Sequence, residues 1–96
     1  MTDQDYRFQS EQLLQEVEQY IENSWDEYDC RRNGNVLTIE LTNKKEIVIN
    51  LQEFKKEVWM AGAKGAFHFK YDKNLWIDTR DKHDFFKKLK YLLAQS

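Results

Sequence analysis

Nine carboxylates crowd the first 29 residues, Asp3, Asp5, Glu11, Glu16, Glu18, Glu22, Asp26, Glu27 and Asp29, against the single base Arg7. From Cys30 onward the balance reverses to eight acids and fourteen bases, so the net charge of −2 conceals a strongly polar molecule. Carboxylates without His or Cys beside them are hard oxygen donors, suited to Ca²⁺, Mg²⁺, Mn²⁺ and iron rather than to zinc or copper. Both histidines, His68 and His83, lie far along the chain, and no facial triad of two His and one carboxylate can be assembled from local sequence. An exposed row of monodentate carboxylates binds hard divalent cations weakly and with strong salt dependence. The same row could instead dock on a basic protein patch, or form nothing more than a solvated helix face. Against the last reading, Glu18 and Glu22 stand four apart, a like-charge spacing that costs a helix ~0.2 to 0.5 kcal/mol.

No P-loop, dinucleotide fingerprint, HExxH or GxSxG motif occurs, which argues against an enzyme. The single cysteine, Cys30, excludes an intramolecular disulfide and any Cys-based zinc site, and fits a reducing compartment. Its neighbours Arg31 and Arg32 would lower its thiol pKa, although a lone strand cysteine is ordinarily inert packing. No apolar run approaches the ~20 residues that span a bilayer, and the polar start MTDQDYRFQ lacks the features of a signal peptide. These features predict one cytoplasmic domain over residues 1–96, with no membrane contact.

The acids need elements to hold them. Between about Thr2 and Asn23, Tyr6, Leu13, Leu14, Val17, Tyr20 and Ile21 recur at helical spacing, with Thr2 and Asp5 placed to cap the start. At about 100° per residue, Glu11, Glu18 and Glu22 fall within roughly 40° of one another, away from the apolar face. From Tyr28 the period switches to two. Asn33-Gly34 predicts a tight hairpin turn between a strand at Glu27 to Arg32 and another at Val36 to Leu41. Further strands are predicted around Ile47 to Leu51, Glu57 to Ala61, Ala66 to Tyr71 and Leu75 to Asp78; alternation does not decide whether Trp76 faces in or out. From Asp81, the predicted N-cap, Phe85, Phe86, Leu89, Leu92 and Leu93 restore the helical period. The order predicts an α+β fold, a two-layer α-β sandwich with two terminal helices on one face of a five- to six-stranded antiparallel sheet. The other sheet face would meet water or a partner. If Val58 and Met60 face the helices, Trp59 lies on that open face beside Asn50 and His68. Phe67 and Phe69 would then point inward, which with the acidic ridge argues against nucleic-acid binding.

The run Asn33-Gly34-Asn35-Val36-Leu37-Thr38-Ile39, then Ile49-Asn50-Leu51-Gln52, Val58-Trp59-Met60-Ala61, Gly65, His68-Phe69 and Leu75-Trp76-Ile77 resembles the frataxin family in its bacterial form. The resemblance covers nearly the whole chain. It implies an iron-binding protein of iron–sulfur cluster assembly, an iron donor or sensor that regulates a cysteine desulfurase and its scaffold complex. It places weakly bound iron, Fe²⁺ or Fe³⁺, on Glu18, Glu22, Asp26, Glu27 and Asp29, and helical geometry adds Glu11. It places partner contacts on Asn50, Gln52, Trp59 and His68. A monomer is expected, with iron as a trigger for oligomers. The alternative is a metal-independent interaction module whose acids dock on a basic partner. The chain departs from the family in having Leu51 where a basic residue is usual and in having no proline.

Overall fold

The structure, a computed structural model, describes residues 1–94. Helix α1 (Asp3–Ser24) opens on a full capping box: the Thr2 hydroxyl accepts the Asp5 N–H, and the Asp5 carboxylate accepts the Thr2 N–H. These bonds satisfy two of the donors that a helix start leaves unpaired. Tyr6, Leu13, Leu14, Val17 and Ile21 form its buried stripe. The helix ends where Trp25 leaves helical geometry while still donating its N–H to the Ile21 carbonyl at 2.7 Å.

Six strands follow in chain order across one antiparallel sheet: β1 (Asp29–Asn33), β2 (Val36–Glu40), β3 (Glu46–Gln52), β4 (Glu57–Gly62), β5 (Gly65–Asp72) and β6 (Leu75–Asp78). A 3-10 turn (Glu53–Lys55) joins β3 to β4, and helix α2 (Phe85–Ala94) closes the described chain. Both helices cover one face of the sheet. On that face Leu37, Ile39, Ile47, Ile49, Val58, Met60 and Phe69 are buried against the helix stripes. Trp76 points inward, edge-on to Tyr6 at 5.9 Å and tilted against Tyr71 at 5.1 Å. The Tyr6 hydroxyl donates to the Glu57 carbonyl at 2.6 Å, tying α1 to β4. Burial pushes this phenol up to about 12, so it stays a donor. No helix of the described residues is long and apolar enough to cross a membrane.

Three boundaries differ from the sequence reading, each for a local reason. The hairpin turn is Gly34-Asn35 rather than Asn33-Gly34: Asn33 still pairs with Val36, and of the two turn residues Gly34 alone takes positive φ, at 60°. That pattern is a turn with glycine first, which suits the right-handed twist of a hairpin. Strand β1 begins at Asp29, not Glu27, because Tyr28 donates its N–H to the Trp25 carbonyl and folds Asp26 to Tyr28 into a turn. The cap of α2 is Asp84, whose carboxylate accepts the Lys87 N–H at 3.0 Å; Asp81 accepts the His83 N–H and pairs with Lys88 instead. Lys88 also reaches the buried Asp78 at 3.4 Å and lies over the Phe67 ring at 4.5 Å, pinning α2 to the sheet.

Candidate metal ridge and docking face

The end of α1 and the start of β1 form one edge of the molecule. Glu18, Glu22 and Asp26 line a shallow open depression there, together with Ile21, Tyr28 and Cys30. The turn that carries Asp26 and Glu27 is held by aromatic packing. The Trp25 and Tyr28 rings stack at 5.3 Å, nearly parallel, and the Trp25 indole N–H donates to the Tyr20 hydroxyl at 3.4 Å. None of Glu16, Glu18, Glu22, Asp26, Glu27 and Asp29 has an ion-pair partner among the described residues.

The two arginines that follow at once in sequence do not neutralise this edge, because strand alternation aims them elsewhere. Arg31 lies on the open face with Glu40 at 3.6 Å and Glu46 at 3.3 Å. Arg32 reaches the helix side and grips Glu11 with both guanidinium arms, at 2.7 and 2.9 Å. Glu11 therefore stands apart from the bare acids: the Arg32 hydrogen bonds hold its carboxyl below the usual carboxylate range. Asp29 is likewise separated from the helix acids. It is paired in register with Glu40, and with Cys30 turned toward the core it takes the opposite side of β1. The predicted set thus divides into Glu18, Glu22 and Asp26 around the depression, Glu27 exposed beside it, Asp29 across the edge strand, and Glu11 engaged.

Among the described residues no three His, Cys, Asp or Glu side chains converge closely enough to enclose a metal ion. A cation on this edge would be held by one or two carboxylate oxygens and keep most of its water, the expected behaviour of hard donors on an open surface. Cys30 is not an activated thiol. Burial first, then the charges of Glu18 and Asp29, push it up to about 11, which agrees with inert packing and not with a thiol lowered by Arg31 and Arg32.

The open sheet face carries a second constellation. Asn50 lies opposite Trp59, and Trp59 opposite His68, so the three form one row across β3, β4 and β5. The Trp59 and His68 rings stack at 4.2 Å and 7°. Gln52 lies opposite Glu57. Glu57, which the sequence marks only as the start of a strand, orients the row: it accepts the Trp59 indole N–H at 2.7 Å, and its carboxylate lies 3.8 Å from His68 and 3.9 Å from Lys70. Its position two residues before Trp59, hence on the same face, was the available signal. The structure brings Asn50, Gln52, Trp59 and His68 together on one surface. Phe69 is fully buried and Phe67 packs against the core, so neither offers a stacking platform for bases.

The frataxin-like domain profile matches residues 1–96. An iron-sulfur cluster assembly protein CyaY from Neisseria meningitidis serogroup C is 39% identical over 95 residues, covering 98% of this chain and 88% of its own. The protein of the same name from Paraburkholderia xenovorans is 35% identical over 95 residues, covering 99% and 90%. Among solved structures, frataxin from Psychromonas ingrahamii superposes with a TM-score of 0.90 at 33% identity, over 100% of this chain and 92% of that one. Profile, relatives and architecture agree, and the chain belongs to the frataxin-like family.

Proposed function

We propose that this chain acts in iron–sulfur cluster assembly as a non-enzymatic iron-binding protein, an iron donor or sensor that regulates a cysteine desulfurase complex. Iron, ferrous or ferric, is held weakly by Glu18, Glu22, Asp26, Glu27 and Asp29, and the desulfurase and its scaffold dock through Asn50, Gln52, Trp59 and His68. The proposed setting is the cytoplasm, with the chain a monomer that iron can assemble further. The observation that carries the metal reading is the run of acids without counter-ions at the end of α1, where the helix dipole already disfavours negative charge. A sequence that keeps such charge bare at a cost in stability is using its field. The names of the relatives support the pathway.

Anaerobic titration with ferrous iron, followed through backbone amide signals, tests the metal assignment. Broadening is expected first around Glu18, Glu22 and Asp26 and last at Glu11. Onset at the Trp59 row instead would overturn it. The openness of the ridge keeps a second reading alive, a metal-independent module whose acids meet a basic partner. It predicts that E18K/E22K abolishes capture of the desulfurase complex while iron has no effect on that capture.

A further inference from the structure

Between α1, the β5–β6 turn and the start of α2 lies a groove of about 180 Å³. Its floor is aromatic: Trp76 and Phe85 are buried beneath it, with Tyr71 and Phe86 packed beside them. Helix geometry brings Gln9, Gln12 and Glu16 within roughly 60° of one another on α1, and these three form one rim. Asn74, in left-handed backbone at φ 69°, and Asp84, the cap of α2, form the other.

Two groups in this groove are left unanswered. Trp76 is only 5% exposed, yet its indole N–H donates to nothing among the described residues, unlike those of Trp25 and Trp59. Among the same residues no fully buried side-chain nitrogen or oxygen lacks a partner. The exposed remnant of Trp76 must therefore include this N–H, and the groove is where Trp76 meets solvent. An indole N–H so nearly buried ordinarily has an acceptor. Glu16 likewise has no ion-pair partner among the described residues. Asp84 adds a second negative charge, and no Lys, Arg or His lines the groove. Around the helix Glu16 points about 160° away from Glu18, so this charge is separate from the ridge.

We propose that the groove binds a small planar cation that carries a hydrogen-bond acceptor. Its ring lies on the aromatic floor, whose π faces favour positive charge. The acceptor takes the Trp76 N–H, and Glu16 answers the charge. A cavity of about 150 Å³ holds benzene, so one six-membered ring with a short substituent suits the volume. Anions, phosphates among them, are repelled by an acidic rim that holds no base. The inference is independent of the iron and docking assignments above.

The probe is 1-methylnicotinamide, which combines one ring, one fixed positive charge and one carbonyl. Titration is followed through backbone amide and Trp indole N–H signals. Saturable shifts are expected at the Trp76 indole, Glu16 and Asn74, with a dissociation constant of about 0.1 to 1 mM for a ligand of about ten non-hydrogen atoms. Uncharged nicotinamide should bind about 5-fold more weakly, and anionic nicotinate too weakly to saturate. The cation 1-methylpyridinium, which lacks the carbonyl, should also lose about 5-fold. Glu16 is exposed, so E16Q should fold as the wild type does and bind 1-methylnicotinamide no better than nicotinamide. Absence of a saturable Trp76 shift at about 10 mM probe, tenfold above the expected constant, overturns the proposal. Shifts that begin at Glu18, Glu22 and Asp26 would make the probe a diffuse counter-ion of the ridge and overturn it too. Nicotinate binding as well as 1-methylnicotinamide would refute the cation, and 1-methylpyridinium doing so would refute the Trp76 N–H as anchor; either result rejects the site as stated.

Discussion

The two ends of α1 carry the same residue types and treat them differently. Near its start every acid has work inside the fold: Asp5 closes the capping box, Asp3 pairs with Lys56, and Glu11 is held by both arms of Arg32. Hydrogen bonds from these partners hold all three carboxyls below their usual range. From Glu16 to Asp29 the acids have no counter-ion among the described residues, and no base occupies the helix's last turn to answer its dipole. Composition is therefore a poor guide to what a carboxylate does. What differs is whether the fold brings a cation to it, and here strand alternation in β1 sends one arginine to the stitched end and the other to the far face. The sharpest form of the stitched state is Asp78, the one carboxylate buried among the described residues, held by Lys88.

The largest expected effect breaks that pair. K88M keeps the aliphatic stem but leaves the Asp78 carboxylate buried with only the Arg80 N–H for company. Uncompensated buried charge costs about 3 kcal/mol or more, read as a lowered urea midpoint. The double variant D78N/K88M should recover much of the loss. A single variant as stable as the wild type would mean that stitched carboxylates contribute nothing, and the contrast with the bare ridge would lose its meaning.

Next in size is the opposite experiment at the bare end. E18Q/E22Q removes one like-charge pair and, at Glu22 in the last turn, one acid disfavoured by the dipole, and should stabilise the chain by about 1 kcal/mol. For a chain of this length that raises the melting temperature by roughly 4 to 8 °C. Salt or a divalent cation should raise the wild-type melting temperature but not that of the variant. A variant that melts lower would show that the ridge acids are structural.

Much of this arrangement is legible in the sequence, because periodicity reports which face a residue takes. Two-residue alternation with consecutive hairpins puts Asn50, Trp59 and His68 on one row, and the capping box of α1 is written in Thr2 and Asp5. What periodicity leaves open depends on contacts between distant elements or on local turn chemistry. Nothing near Glu11 announces that Arg32, twenty-one positions on, will grip it. Alternation alone could not aim Trp76, whose direction is set by packing against Tyr6 of α1. The sequence puts the α2 cap at Asp81, but the His83 N–H and Lys88 engage that carboxylate and Asp84 caps the helix instead.

A smaller effect concerns the Glu11–Arg32 clamp. The pair is largely solvent-exposed, so E11Q should cost only about 0.5 kcal/mol even with bidentate geometry. Its pH dependence has a definite sign. Glu11's folded pKa lies below its ordinary value near 4.5, so the stabilisation is complete above that value and is lost as pH falls through the folded pKa. Wild type and E11Q should therefore differ at pH 7 and converge toward pH 2. Salt sharpens the comparison, since it weakens this clamp while relieving the ridge, and E11Q should gain more from added salt than the wild type does.

The finest probe of the bare field is Cys30, which sits in the depression beside Glu18. With its thiol pushed up to about 11, alkylation by iodoacetamide at pH 8 should run on the order of 100-fold slower than for a free cysteine. Burial is the larger cause and no charge substitution removes it. The contribution of Glu18 is removable, so E18Q should speed alkylation by a few-fold, measured as a rate against pH so that a shifted midpoint is separated from better access. E11Q should leave the rate unchanged, because a carboxylate already answered by Arg32 projects little field toward the thiol. Equal acceleration by both variants would mean that pairing does not screen Glu11, and the division between stitched and bare acids would then be one of geometry alone, with no electrostatic consequence at the edge where a cation is proposed to bind.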